Sequence, residues 1–248
     1  VRLGNGIRNL TLAAAITLSS PVLAGPPFIT DDPEPTDTGH FENYLYVQGT
    51  RAGGATSGPA EGIEINYGAA PDTQLTLSVP IDSNPGAGSM GSLYAPLGAG
   101  VKYRFIEEDD DGWRPQVAVF PQIAFPVGSA SRSVPTTLLL PLWAQKSSGA
   151  WTCFGGGGIV INPGGANRDF LVYGGALLRQ IDDRLQIGLE SFGASRSATA
   201  TGAGTAIGLG AILDLSEHWH LIGSVNAGLV NARGADAGSY VFAVKWTL

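Results

Sequence analysis

Four stretches of this chain carry residue types and spacings that could do chemistry. Gly86-Ala87-Gly88-Ser89-Met90-Gly91 has the spacing of a dinucleotide-binding loop. That chemistry needs a helix N-terminus directly after the glycines, where free N–H groups and the helix dipole hold a pyrophosphate. Pro96 and another strand pattern follow instead, so the stretch reads as an external loop and no cofactor is expected. Glu107-Glu108-Asp109-Asp110-Asp111-Gly112 resembles half of a calcium loop, but Ala118 stands six residues after the glycine, where a bidentate glutamate belongs. A solvated turn is expected there, with weak divalent binding as the alternative, and no metal site is predicted. The histidines are His40, His218 and His220, and no Gly-x-Ser-x-Gly occurs. A membrane-embedded hydrolase needs its histidine beside a serine or aspartate near the outer leaflet. His40 falls at the opposite end of its strand, so no catalytic residue is assigned and the chain is read as a non-enzyme. The fourth stretch is Asp31, Asp32, Glu34 and Asp37 interleaved with Pro26, Pro27, Pro33 and Pro35. So much proline excludes a strand interior. Two readings stay open for residues 25–38: a disordered tail, or a plug folded into a lumen and paired with basic residues there.

A lumen is expected because the remaining sequence alternates. Leu75, Leu77, Val79 and Ile81 alternate with Gln74, Thr76 and Ser78, which puts one set on each face of a strand. The same pattern recurs at 40–51, 62–69, 98–105, 114–127, 136–146, 151–161, 170–181, 185–195, 205–214, 219–230 and 239–248. With Gln74–Ile81 these make twelve strands; because 136–146 and 170–181 are apolar on both faces, ten or fourteen remain open. Connections after the even strands are short or acidic, and those after the odd strands are richer in Gly, Ser, Ala and Pro. The predicted fold is all-β: a transmembrane antiparallel up-and-down β-barrel spanning residues 39–248. An even strand number puts both termini on the periplasmic side.

The polar faces of these strands nominate a lumen lining of Glu42, Glu64, Lys102, Arg104, Gln122, Gln145, Glu190, Asn226 and Lys245, with Arg179 as a further candidate. Charge on a lipid face costs about 2–4 kcal/mol near the bilayer midplane, so Lys102 and Arg104 must turn inward.

The two ends of the sequence agree with a barrel. Arg2 and Arg8 precede an apolar run from Leu10 to Leu18, and Val22-Leu23-Ala24 suits cleavage after Ala24, so residues 1–24 read as a signal peptide. Its removal leaves 12 basic against 21 acidic side chains, a net charge of −9, which argues against a nucleic-acid partner. Tyr240, Phe242, Val244, Trp246 and Leu248 form an uncharged outward face like the closing strand of an outer-membrane barrel. That face is expected to meet outer-membrane lipids and to act as the signal read by the barrel-insertion machinery. The single Cys153 cannot form an internal disulfide and reads as a small apolar strand residue.

Ile29-Thr30-Asp31-Asp32-Pro33-Glu34-Pro35, followed by Gly39-His40-Phe41-Glu42, resembles the start of the bacterial "MetA-pathway of phenol degradation" family. Its members are outer-membrane proteins commonly labelled as transporters. The resemblance continues through Ile65 to Ile81, Gly100-Val101-Lys102-Tyr103-Arg104-Phe105, Trp113 to Val127 and Pro141-Leu142-Trp143. It implies location in the bacterial outer membrane and transport of small solutes, hydrophobic or aromatic molecules among them. The family supplies no catalytic motif, so no site residue follows from it. Two functions are carried forward: a passive channel for such solutes, and a structural or surface-interaction barrel without transport.

Overall fold

The computed structural model describes residues 28–52, 55–56, 60–81, 97–109, 112–127, 135–199, 202–230 and 236–248. The expected signal peptide and the glycine loop at 86–91 lie outside the described residues.

The alternating segments become strands β1 (Phe41–Ala52), β2 (Ala55–Thr56), β3 (Ala60–Ala70), β4 (Thr73–Ile81), β5 (Leu97–Ile106), β6 (Gln116–Val119), β7 (Gln122–Phe125), β8 (Thr137–Ser148), β9 (Trp151–Ile161), β10 (Phe170–Gln180), β11 (Leu185–Ala194), β12 (Gly204–Asp214), β13 (Trp219–Val230) and β14 (Asp236–Thr247). β2 is two residues folded back on the end of β1. β6 and β7 are one strand interrupted at Phe120-Pro121, because proline has no N–H to give the ladder. Val101 N–H donates to the Pro121 carbonyl and Phe120 N–H to the Pro141 carbonyl, which carries pairing across the break. The wall therefore has twelve spanning antiparallel strands. β14 pairs with β13 on one side and with β1 on the other, with Leu45 opposite Val244 and Val47 opposite Phe242, and this closes the barrel. Closure matters because a spanning sheet with a free edge would leave backbone groups unpaired in hydrocarbon.

The outer face is an apolar belt. Leu45, Leu77, Tyr103, Leu142, Leu189 and Phe242 all stand exposed on it. Charged side chains on this face lie near strand ends among the described residues, as at Arg51, Glu61, Lys146 and Arg179. Tryptophans gather at the end where β1 begins and β14 finishes, called here the near end. Trp219 and Trp246 stack with ring centroids 6.0 Å apart, Trp151 lies under Arg179, and Trp113 stands on the exposed turn after β5. An aromatic girdle of this kind marks a membrane–water boundary.

The near-end turns are tight. Asp72 adopts φ +57° after Pro71, in the left-handed region, which lets the chain reverse in two residues between β3 and β4. Its carboxylate accepts from Arg104 Nε at 2.9 Å, which fixes the turn against β5. The acidic turn after β5 is not simply solvated as expected. Glu108 and Asp109 fold onto Lys146 of β8, at 3.2 and 3.3 Å, and so neutralise a lysine that would otherwise stand alone on the outer face. Arg179 also departs from expectation. It faces outward, with its guanidinium 5.2 Å from the Trp151 ring. β10 is apolar on both faces, so its sequence pattern does not fix which face is inner. One residue from the strand end, an arginine can reach the interface while its stem covers apolar surface.

Candidate functional site in the barrel lumen

The inner wall is divided chemically. On β1 and β3–β8 the inward positions are mostly polar. Asn66 Nδ2 donates to Glu64 at 3.1 Å, Ser78 Oγ donates to the other Glu64 oxygen at 2.8 Å, and Thr76 Oγ1 and Gln74 Nε2 both donate to Asn66 Oδ1, at 2.6 and 2.9 Å. Glu42 pairs with Lys245 and accepts from the Tyr44 hydroxyl. Gln122 and Gln145 are buried on the same inner surface. On β9–β14 the inward positions in the middle of the strands are mostly glycine, alanine and large apolar residues, with Glu190, Ser224 and Asn226 as polar exceptions, while polar inward side chains such as Gln186, His220 and Lys245 lie toward the near end. All nine residues nominated for the lining point inward.

Residues 28–38 form a strap that enters from the near end and crosses the lumen. Thr38 bridges to Gly68 on β3, where a side chain would collide with the Asp37 backbone. Thr36 N–H donates to Gln74 of β4 at 2.8 Å. Glu34 lies 3.9 Å from Arg104, and its second oxygen accepts from Gln116 of β6 at 3.4 Å. Beyond this the strap turns across the barrel. Glu190 of β11 accepts from the Ile29 and Thr30 N–H groups at 3.1 and 3.0 Å, and Phe28 packs with Phe154 of β9 and Leu178 of β10.

Lys102 is the centre of this arrangement. It is 1% exposed, and an ammonium buried to that degree must have its charge and its three N–H donors answered. The strap answers all three: Asp31 Oδ1 at 3.1 Å, Asp32 Oδ1 at 3.3 Å and the Glu34 carbonyl at 3.3 Å. The Phe120 ring centroid lies 5.1 Å away as a further cation–π contact. Asp37 differs from its three acidic companions. Its side chain is exposed and its carbonyl accepts the His40 N–H, so it does not reach Lys102 or Arg104. It lies where the strap already turns into β1.

Burial is the dominant influence on Asp31 and pushes its carboxyl well above the usual carboxylate range; Lys102 opposes that push, and Asp32 adds to it. Near the mouth, His220 Nδ1 lies 2.6 Å from Asp214, and the neighbouring Ser216 hydroxyl accepts from the His218 and Trp219 N–H groups. That serine caps a turn rather than standing beside a histidine as a nucleophile would.

Sequence reasoning missed the far anchorage of the strap. Nothing in Glu190 marks it as the acceptor for two strap amides, and Phe28 lies in a stretch noted only for its acids and prolines. The available signal was glycine at alternate inward positions of β11 and β12, Gly188, Gly208 and Gly210, which leaves a groove in the wall.

Because the strap covers the inner wall around Lys102, a thiol placed beside that lysine should be shielded. Ala118 faces inward with no exposed surface, between Gln116, which the strap contacts, and Phe120, whose ring lies against Lys102. In a Cys153→Ala background that keeps Lys102, Ala118→Cys should react with a water-soluble maleimide at least about tenfold faster once residues 26–37 are deleted, as exposure follows the open fraction. Tyr103→Cys should react with a lipid-phase reagent in both chains. Equal water-phase rates at position 118 with and without the strap would refute the covering contact.

No known protein family and no curated relative matches the chain. Solved structures do. An outer membrane channel from Pseudomonas putida F1 superposes with a TM-score of 0.64 at 12% identity, over 88% of this chain and 98% of that one. The KdgM porin, in complex with disordered oligogalacturonate, gives 0.54 at 10% identity over 84% and 98%. The CymD monoaromatic hydrocarbon channel gives 0.50 at 8% identity over 86% and 88%. At these identities the likeness is one of fold.

Proposed function

We propose that this protein is a bacterial outer-membrane channel through which small solutes diffuse passively, with the strap at residues 28–38 as its gate. A closed antiparallel barrel with an apolar belt and a tryptophan girdle belongs in a bilayer, and among bilayers the outer membrane is where such barrels reside. The near end is then periplasmic, and β14 is the strand that the insertion machinery engages. The observation that carries the channel reading is the separateness of the strap from the wall. The strap takes no strand position in the closed barrel, crosses the lumen, and is held by side-chain contacts that can be released without opening the seam. A purely structural barrel has no need of a removable cross-piece.

Aromatic and other hydrophobic molecules are the solute class favoured here. Support comes from the resemblance of 29–42 and the following hairpins to the phenol-degradation family, and from the apolar half of the inner wall. The fold by itself does not choose among solutes, since its likenesses include both a porin seen with an oligogalacturonate and a monoaromatic hydrocarbon channel. No chemical step is required of the protein.

The test is conductance. Purified protein in planar bilayers should show a small ion current that rises several-fold when residues 26–37 are deleted. Absence of current, and of liposome uptake of small aromatic solutes, with and without the deletion, would instead favour a structural or surface-interaction barrel.

A further inference from the structure

Phe28 occupies an unusual place. Its side chain is 2% exposed and lies inside the barrel, against the glycine groove of β11 and β12. A Cβ on Gly210 would come within 2.5 Å of the Phe28 ring, and one on Gly188 within 2.9 Å, so the wall leaves out side chains where the ring rests. Phe154 flanks it with ring centroids 6.3 Å apart and an interplanar angle of 42°, and Leu178 and Ile212 complete the walls. The result is a slot one benzene ring in size.

The rim of the slot is polar and incompletely satisfied. Ser224 stands directly opposite Gly210 across the β12–β13 ladder, and Asn226 opposite Gly208. Both are more than nine-tenths buried, at 2% and 8% exposed. The Ser224 hydroxyl and both polar atoms of the Asn226 amide have no hydrogen-bond partner among the described residues. Buried polar groups are rarely left unpaired, and each that is calls for a partner. A phenylalanine ring offers none. A ring of the same size that carries a hydroxyl could donate to the Asn226 carbonyl oxygen or accept from its amide or from Ser224.

The geometry points to a lumenal binding slot for a small monocyclic aromatic bearing a hydroxyl group, in which the chain's own Phe28 stands in for the ring. This rests on the channel reading and adds to it a substrate class and a mode of gating. Solute and Phe28 cannot share the slot, so an arriving solute displaces the far anchor of the strap. The strap still holds Lys102, so displacement frees residues 28–30 first. Pocket and gate are thereby linked through one occupancy, and the apparent affinity for solute is lowered by the fraction of time Phe28 is seated.

The test follows strap release directly, in the full chain with Cys153→Ala. Thr30→Cys, buried beside the slot, should react slowly with a water-soluble maleimide. Saturating p-cresol should accelerate that reaction on the order of tenfold by shifting the seated population. Cyclohexanol, with the hydroxyl but no aromatic ring, should leave the rate unchanged. Gly210→Val fills the slot from the wall and should give fast labelling without p-cresol and no response to it, with heat-modifiable gel migration confirming that the barrel is folded. No acceleration by p-cresol, or equal acceleration by cyclohexanol, overturns the slot, as does continued protection of position 30 in folded Gly210→Val. If those results come together with conductance that rises on strap deletion, the slot falls and the channel stands. If conductance and uptake are absent as well, both fall.

Discussion

Removing residues 246–248 should abolish assembly of the barrel. These residues sit at the seam, where β14 must satisfy two neighbours at once. Trp246 lies opposite Asn43 on β1 and opposite Trp219 on β13. Leu248 exchanges both backbone hydrogen bonds with Phe41, each at 2.9 Å, and Thr247 N–H donates to the His218 carbonyl at 3.0 Å. Their loss leaves the start of β1 as a free edge in or near hydrocarbon, where each unpaired backbone group costs several kcal/mol. It also removes the stacked tryptophan pair from the interfacial girdle, 6.0 Å between centroids. Heat-modifiable migration on a gel reads the outcome. The truncated chain should run at one position, boiled or not, whereas the whole chain should shift. A truncated chain that keeps the shift would show that closure at the near end does not depend on this contact.

Replacing Lys102 with methionine should open the channel without unfolding it. The methionine keeps the length and removes the charge, so Asp31 and Asp32 lose their buried counter-ion. Breaking one side of a buried pair costs about 3–5 kcal/mol because the partner is left uncompensated. The wall strands are locked by their ladders on both sides, while the strap is joined covalently only through Thr38 to Phe41. The strap therefore leaves, and conductance should rise to the level of the strap deletion. The variant should also become sensitive to acid. Burial already holds the Asp31 carboxyl well above its ordinary value of 3.8; Lys102 pulls it down, and Asp32 and Glu64 push it further up. With the lysine gone, only the raising influences remain. The docked strap then keeps a proton that the free strap has released, so docking is lost as pH rises through the docked carboxyl's value and regained as pH falls toward 3.8. Acidification from neutral should lower the conductance of Lys102→Met and leave that of the strap-deleted chain without this response. A variant whose conductance equals that of the unaltered chain at neutral pH would remove Lys102 as the anchor.

Much of the wall was legible in the sequence because a strand reports its two faces by a period of two residues, a property of the local backbone. Gln74, Thr76 and Ser78 against Leu75 and Leu77, or Lys102 and Arg104 against Val101 and Tyr103, admit one orientation in a bilayer, and the structure has it. The same rule gave no answer for Arg179, since β10 is apolar on both faces and its phase is set by the pairing of β9 and β11 around it. The interruption at Pro121 could be suspected from the proline, but whether pairing resumed beyond it depended on β5 and β8 both spanning the gap. The strap is the clearest division. Its composition excluded it from the wall and its acids suited a basic partner, yet tail and plug fitted that composition equally. Lys102 and Asp31 are separated by 71 positions, and Glu190 and Thr30 by 160. Alternation, turn residues and the placing of charge act over a few neighbours, and these determined the strands, their faces and their membrane setting. Only closure of the ring, which brings β5 and β11 to opposite sides of one narrow lumen, decided that a single strap could reach both, and which side chains would hold it there.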